Sequence, residues 1–353
     1  MKIETLLIEA MQKGCSDLHI TVGIPPMVRL NGSVMTLGDY PVVTPEEAKR
    51  LVYSIINEER ARILEEQGDV DFSFAVENIG RFRVNAYKQR SSYCLAIRLL
   101  VNRIATLEEL GLPSVLKDLA TKPRGLIIVT GPTGSGKSTT LAAMIDYINK
   151  NRRLHIITIE DPIEYLYRHG NCIVNQREVG DDTKSFARAL RSAMREDPDV
   201  ILVGEMRDLE TIQAAITAAE TGHLVLSTLH TKGAASTVDR MIDVFPADQQ
   251  RQIRIQLAGV LEGVVTQNLI PRADGQGRAL AMEIMLVTDA IRNMIRDEKV
   301  YQINTAMQTG AKFGMQTLDA HLAELVREEV ITLKEAVSSC ISQEDLMRYI
   351  GKF

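Results

Sequence analysis

Gly125-Leu126-Ile127-Ile128-Val129-Thr130-Gly131-Pro132-Thr133-Gly134-Ser135-Gly136-Lys137-Ser138 is the stretch that decides how this chain is read. Gly125 to Thr130 is an apolar run of strand length, Gly131 to Ser138 matches G-x-x-x-x-G-K-[ST], and Thr139 to Ile148 continues as a helix with Leu141, Met144, Ile145 and Ile148 along one side. Strand, glycine-rich loop and helix in that order form a phosphate cradle. The glycines let successive N–H groups face one concavity, and the helix N-terminus adds partial positive charge. Gly131, Pro132, Thr133, Gly134, Ser135, Gly136, Lys137, Ser138 and Thr139 are therefore the expected ATP-binding residues. Lys137 would reach the β- and γ-phosphates, and Ser138 would offer its hydroxyl to Mg²⁺. The plain alternative is a glycine-rich turn with an exposed lysine, and the flanking strand and helix weigh against it.

A chain of 353 residues is longer than one compact core usually organises, so two domains are expected. The apolar fraction of 45% and charged fraction of 25% are those of a soluble globular protein, and no stretch has the length of a membrane span. Met1 to Lys13 carries Glu4 and Glu9 and lacks the layout of a secretory signal, which predicts a cytosolic protein. The net charge of −5 and the absence of Trp argue against a broad nucleic-acid surface or a base-stacking platform. Cys15, Cys94, Cys172 and Cys340 are far apart and contain no C-x-x-C pair, so reduced, partly buried thiols are expected rather than a zinc site.

Outward from the loop, residues 1–105 read as a smaller α+β domain, 106–124 as a Pro- and Gly-punctuated linker, and 125–353 as an α/β domain with a helical C-terminal region. In the first domain, Ile3, Leu6, Leu7 and Ala10 mark an amphipathic helix ending near Gly14. Asn31-Gly32 signals a hairpin between Met27-Leu30 and Val34-Met35. Thr44-Pro45-Glu46-Glu47 opens a helix carrying Leu51, Ile55 and Ile56. Strands are expected at 71–76, 80–87 and 93–100. In the second domain, 155–159, 200–203 and 224–227 read as parallel strands alternating with helices, a pattern that implies a sheet buried on both faces. Leu209 to Thr221 is a helix capped by Asp208 and stopped at Gly222, and Thr183 to Arg195 is a helix carrying Arg188, Arg191 and Arg195. From Gln249 onward the pattern reads as mainly helical, with a turn at 273–277 and a short strand near 279–286.

Hydrolysis needs a carboxylate to orient water and a partner for the metal. Two acidic clusters follow apolar strands, at the edge where open α/β sheets bind ligands. One is Glu160-Asp161-Pro162-Ile163-Glu164; the other is Gly204-Glu205 after Val200 to Val203. The second resembles a Walker B element with glycine where its aspartate commonly stands, so Glu205 would act on the metal through a water. A solvated acidic loop is the plain alternative for each. The strand Leu224 to Thr228 is bracketed by His223 and His230, and Ser227, Thr228 and His230 are candidates to sense the γ-phosphate.

The phosphate loop, the Glu160 to Glu164 box, Gly204-Glu205 and the run from Gly222-His223 to Leu229-His230-Thr231 together resemble the secretion ATPases of type II secretion and type IV pili. Ser16-Asp17-Leu18-His19-Ile20 and Gly80-Arg81-Phe82-Arg83-Val84-Asn85 are similar to that family's N-terminal PAS-like domain. Ala290-Ile291-Arg292-Asn293-Met294-Ile295-Arg296-Asp297 resembles the AIRNLIRE signature of its twitching-motility retraction branch, with departures at Met294 and Asp297. The resemblance implies a RecA-like motor domain, assembly as a homo-hexamer with ATP between subunits, and work on a pilus platform protein of the inner membrane and, through it, on pilin. It implies attachment at the cytoplasmic face, which the lack of a membrane-length stretch makes peripheral with no membrane insertion, and the acidic balance argues against a nucleic-acid partner. It also implies roles: Glu164 activates water, Glu205 is the Walker B-like partner of Ser138 at the metal, His230 reports on the γ-phosphate, and Arg83 and Arg98 neutralise charge on a neighbour's nucleotide. Read without the resemblance, 290–297 is an amphipathic packing helix with Ala290, Ile291, Met294 and Ile295 on its apolar side. Other functions stay open on these residues: an accessory retraction, pilus-extension or type II secretion ATPase, a nucleic-acid translocase, and a nucleotide-gated binding module that does not hydrolyse.

Overall fold

The computed structural model describes residues 1–76, 79–100 and 103–351. The chain forms two compact units, one of Met1–Arg103 with Pro162–Leu166 and the other of Ile104–Asp161 with Tyr167–Phe353. The architecture is α/β, with one sheet in each unit.

The first unit contains α1 (Ile3–Gln12), β1 (Asp17–Ile20), β2 (Met27–Leu30), β3 (Ser33–Thr36), α2 (Pro45–Tyr53), α3 (Glu58–Gln67), β4 (Asp69–Val76), β5 (Gly80–Gln89) and β6 (Ser92–Leu99). Its strands pair antiparallel in the order β3-β2-β1-β6-β5-β4. Asn31 and Gly32 turn the β2–β3 hairpin with positive φ at both positions, the geometry that matches strand twist. Leu6, Leu7, Leu51, Val52 and Leu64 from the helices cover one face of the sheet, meeting Leu18, Ile20, Phe82, Val84, Leu95 and Ile97. Thr44 caps α2 by accepting from Glu47 N at 3.2 Å, a contact that stabilises a helix by about 1 kcal/mol. The helix stops at Tyr53, however, so Ile55 and Ile56 lie beyond it. Asn57 accepts from Arg60 N at 2.9 Å and starts a separate helix instead, because that local bond competes with continuing the first one.

The second unit contains α4 (Val115–Ala120), β7 (Gly125–Thr130), α5 (Lys137–Asn151), β8 (His155–Glu160), β9 (Ile173–Glu178), α6 (Phe186–Ala193), β10 (Val200–Val203), α7 (Leu209–Glu220), β11 (Leu224–Leu229), α8 (Ala234–Asp243), α9 (Ala247–Val260), β12 (Leu261–Pro271), β13 (Arg278–Leu286), α10 (Asp289–Arg296), α11 (Ile303–Thr309), α12 (Leu318–Arg327), α13 (Leu333–Ser339) and α14 (Gln343–Ile350). The strand order is β13-β12-β7-β11-β10-β8-β9, parallel throughout except for the β12–β13 pair. Successive residues of one strand enter different cores. Leu126 and Ile128 pack with α6 to α10, while Ile127 and Val129 pack with α4 and α5. Residues of the 106–124 segment, among them Leu107, Leu112, Leu116 and Leu119, belong to the second of these cores. A satellite core joins Leu318, Leu322 and Leu346 of the C-terminal helices to Ile270 and Ala281 of the β12–β13 hairpin.

Two strands of the second unit depart from the sequence expectation. The eleven-residue β12 occupies a region read as helical. It is buried on both faces, so Val264, Val265, Leu269 and Ile270 form a nearly continuous apolar run with no period-2 signature. β9 is a sheet-edge strand whose Asn175, Gln176 and Arg177 conceal its character. The helix expected at 183–195 is shorter, with Ser185 as its cap.

Candidate active site

Because β7, β8, β10 and β11 run parallel, their C-terminal ends share one edge of the sheet, and most of the chemistry read from the sequence lies there. Thr130 ends β7, Glu160 ends β8, Gly204-Glu205 follow β10, and His230 follows β11. Arg83, Arg98 and Glu164 belong to the first unit.

Gly131 has a φ of 137°, and a Cβ there would approach Gln267 O to 2.2 Å and Ser135 Oγ to 2.8 Å, so only glycine fits where the loop leaves the strand. Gly136 caps α5, and Lys137 is the first residue of that helix. Lys137 is buried, its Nζ donating to Gly131 O at 2.8 Å and Pro132 O at 2.9 Å, which keeps the ammonium inside the turn. Ser135 Oγ is buried with no hydrogen-bond partner in the protein. A buried hydroxyl without a partner is costly, and a phosphate oxygen in the loop would satisfy it. Ser138, by contrast, is exposed. Among the described residues no group of three or more His, Cys, Asp or Glu is placed to hold a metal.

Glu205 Oε1 lies 2.7 Å from Arg207 Nε, and its Oε2 lies 3.8 Å from His230 Nε2. Gly204 packs closely against β8: a Cβ there would lie 3.3 Å from both Glu160 Cα and Ile159 O, tight enough that the neighbouring strand would have to give by a few tenths of an ångström. Glu160 is itself buried and accepts from Thr158 Oγ1 at 2.6 Å and Gln176 Nε2 at 3.2 Å, which fits it to brace the strand ends. Glu164 is exposed.

Ser227 and Thr228 do not face the site as expected. Ser227 Oγ donates to Val203 O at 2.8 Å and Thr228 Oγ1 to Gly204 O at 2.6 Å, so both hydroxyls are spent on the neighbouring strand. His223 stands at the opposite end of β11, with Nδ1 2.8 Å from Ala218 O, and closes the last turn of α7. His230, at the edge, is exposed.

Several residues of this edge escaped the sequence reading. Thr130 Oγ1 is 2.7 Å from Thr231 Oγ1, which is 2.6 Å from Thr237 Oγ1, tying the segment after His230 to the root of the phosphate loop. Gln267, on β12, donates to Thr140 Oγ1 at 2.8 Å. Glu283 is buried on β13, accepts from Ala234 N at 2.5 Å, and has its carboxyl raised above the ordinary value chiefly by burial. Nothing in the sequence marks Gln267 or Glu283 as belonging to the loop's surroundings, and the pairing of β12 with β7 and β13 brings them there. A cavity of about 760 Å³ beside Pro132 to Ser135, reaching Arg278, Glu283 and Cys340, has the volume of a small-molecule site.

Arg83, Arg98 and Arg29 form a row across the first unit's sheet. Arg83 is directly opposite Arg98, and Asp17 lies between Arg98 and Arg29, at 3.3 Å and 3.9 Å. Arg83 and Arg98 are exposed.

The family model described as "Type II/IV secretion system protein" matches residues 1–344. The chain is 51% identical over 336 residues to the type IV pilus retraction ATPase PilT of Pseudomonas aeruginosa, covering 95% of this chain and 97% of that protein. It is 50% identical over 311 residues to a twitching motility protein of Neisseria gonorrhoeae, covering 88% and 83% of the two chains. A crystal structure of the pilus retraction motor PilT with bound ADP superposes with a TM-score of 0.93 at 50% identity, covering 99% of each chain.

Proposed function

We infer that this chain, which belongs to the type II/IV secretion system protein family, is the ATPase motor of type IV pilus retraction and twitching motility. The protein hydrolyses ATP, and the observation that carries the reading is the sheet edge itself. There a glycine-shaped phosphate loop, a buried lysine and an orphaned serine hydroxyl stand beside Glu205 and His230.

In this reading the loop N–H groups, Lys137 and Ser135 bind the β- and γ-phosphates, and Ser138 is the hydroxyl placed to hold Mg²⁺, with Glu205 acting on it through water. Mg²⁺, when bound, supplies neutralising charge to the phosphate oxygens. Glu164 orients the attacking water and accepts its proton as the bond to the γ-phosphorus forms, and ADP leaves with the electron pair. His230, 3.8 Å from Glu205, registers whether the γ-phosphate is present. The chain works as a homo-hexamer in which Arg83 and Arg98 of one subunit face a neighbour's nucleotide, an arrangement favoured by two like charges held side by side on an open sheet face. It acts at the cytoplasmic face of the membrane on an inner-membrane platform protein, and so on pilin. Among the described residues no helix is long and apolar enough to cross a membrane, which favours peripheral attachment.

Cells lacking this protein test the assignment. Wild-type protein is expected to restore retraction, and Glu205→Gln is expected to leave pili extended. Pili that retract as fast without the protein as with it would overturn the reading.

A further inference from the structure

Glu262 sits at an irregularity in β12: Leu261 pairs with Leu126 and Gly263 with Ile127, so Glu262 is the extra residue of a bulge against β7. A bulge re-aims a side chain out of the ladder. Here the side chain reaches α10, the segment before β7 and the first residue of β7. Its Oε1 accepts from Arg292 Nη2 of α10 at 2.5 Å, and its Oε2 lies 3.0 Å from Lys122 Nζ, just before β7. Its stem lies over Gly125, the first residue of β7, where a Cβ would meet Glu262 Cγ at 2.5 Å; the φ of 122° is likewise one that glycine alone adopts readily. Arg292 also donates from Nη1 to Ala258 O at 2.8 Å and Gly259 O at 3.2 Å, satisfying carbonyls that the end of α9 leaves without helical partners. One guanidinium thus joins α10, α9 and the bulge.

We propose that Glu262 is a positioning residue that couples the phosphate loop to α10 through β7. A six-residue strand is a stiff rod of about 20 Å, so a displacement of the loop at one end is delivered to Gly125 at the other. Glu262 transfers it to Arg292, and the outward side of α10, formed by Asp289, Ala290, Asn293, Arg296 and Asp297, moves with it. Ala290, expected from the sequence to pack inward, is among these exposed positions, while Ile291 and Ile295 anchor the helix. A purely structural brace would hold α10 alike in every nucleotide state; coupling predicts that its protection depends on nucleotide.

The inference rests on the nucleotide reading of the loop, and hydrogen exchange separates the two. With wild-type protein, adding ADP or a non-hydrolysable ATP analogue with Mg²⁺ should change amide exchange in α5 and also in α10. In Glu262→Gln, and in Arg292→Lys as a second variant, nucleotide affinity should stay within about threefold while the α10 response falls to less than about half. Protection in α5 with no α10 response in wild type, or a full α10 response in both variants, would overturn the coupling. No nucleotide binding by the wild type would overturn both readings together.

Discussion

The two sheets solve the problem of presenting chemistry in opposite ways. The first unit's antiparallel sheet buries one face under helices and leaves part of the other exposed, Arg83 and Arg98 included, and strand register places Arg83, Arg98, Asp17 and Arg29 in a row. The second sheet is buried on both faces and offers chemistry only where its strands end. An open face presents side chains that a partner can meet, whereas a strand edge encloses groups that must surround a small ligand. The second arrangement suits holding a nucleotide, and the first is where the proposed contact with a neighbouring subunit would be made.

Three changes would break or sharpen that contrast. The largest effect belongs to the strand edge. Lys137→Ala removes the cation from the loop and should lower ATP turnover at least about 10²- to 10³-fold with the melting temperature nearly unchanged. Turnover near the wild-type rate would remove the loop from the site. A smaller loss is expected on the open face, where Arg83→Ala should lower turnover about 10-fold or more. Its stability should hold or rise slightly, because Arg83 directly faces the like charge of Arg98. In co-assembled rings, equal amounts of Arg83→Ala and Lys137→Ala chains should recover about a quarter of the interfaces, those joining an intact arginine to an intact loop. If mixing restores nothing, the open face does not serve a neighbour's nucleotide.

The smallest effect concerns Glu283, which receives the N–H of Ala234 after the His230 segment. Burial raises its carboxyl above the ordinary 4.5, outweighing the N–H groups of Ala234 and Leu318 and the Thr266 hydroxyl, which lower it. The native state therefore binds this proton more tightly than the unfolded chain does. The stability it brings is complete below about pH 4.5 and is lost as the pH rises through the folded value. Glu283→Gln has no proton to release, so thermal melts should show the variant gaining on wild type as the pH rises from acid to neutral. Asp319, also raised by burial, adds to the upward push on the Glu283 carboxyl through its charge. A gap that stays constant across that range would mean Glu283 titrates as it does in the unfolded chain.

What could be read from the chain was whatever short-range chemistry specifies. The loop from Gly131 to Ser138 is legible because phosphate geometry demands those residues consecutively. Thr44 and Asp208 are legible as caps because each bonds a backbone N–H three residues away. The acidic ends of β8 and β10 follow from apolar runs that stop at carboxylates. The strand β12 was not legible, since burial on both faces removes the alternation that marks a strand. With it went Gln267 and Glu262, and the role of Glu283 on the legible β13 stayed hidden too, because their neighbours at Thr140, Lys122 and Ala234 are remote in sequence.

The sequence by itself determined that phosphate is bound, where the loop lies, and which carboxylates and histidines are available, because these depend on residue type and local spacing. Only the tertiary structure decided which of them are free to act. Ser227 and Thr228 are consumed by a neighbouring strand, His223 closes a helix, Ser135 is left without a partner, and Arg292 is committed to Glu262 rather than to solvent. The physical reason is that a polar group's availability is set by what else can satisfy it, and in a buried parallel sheet those partners come from strands that are distant in the chain.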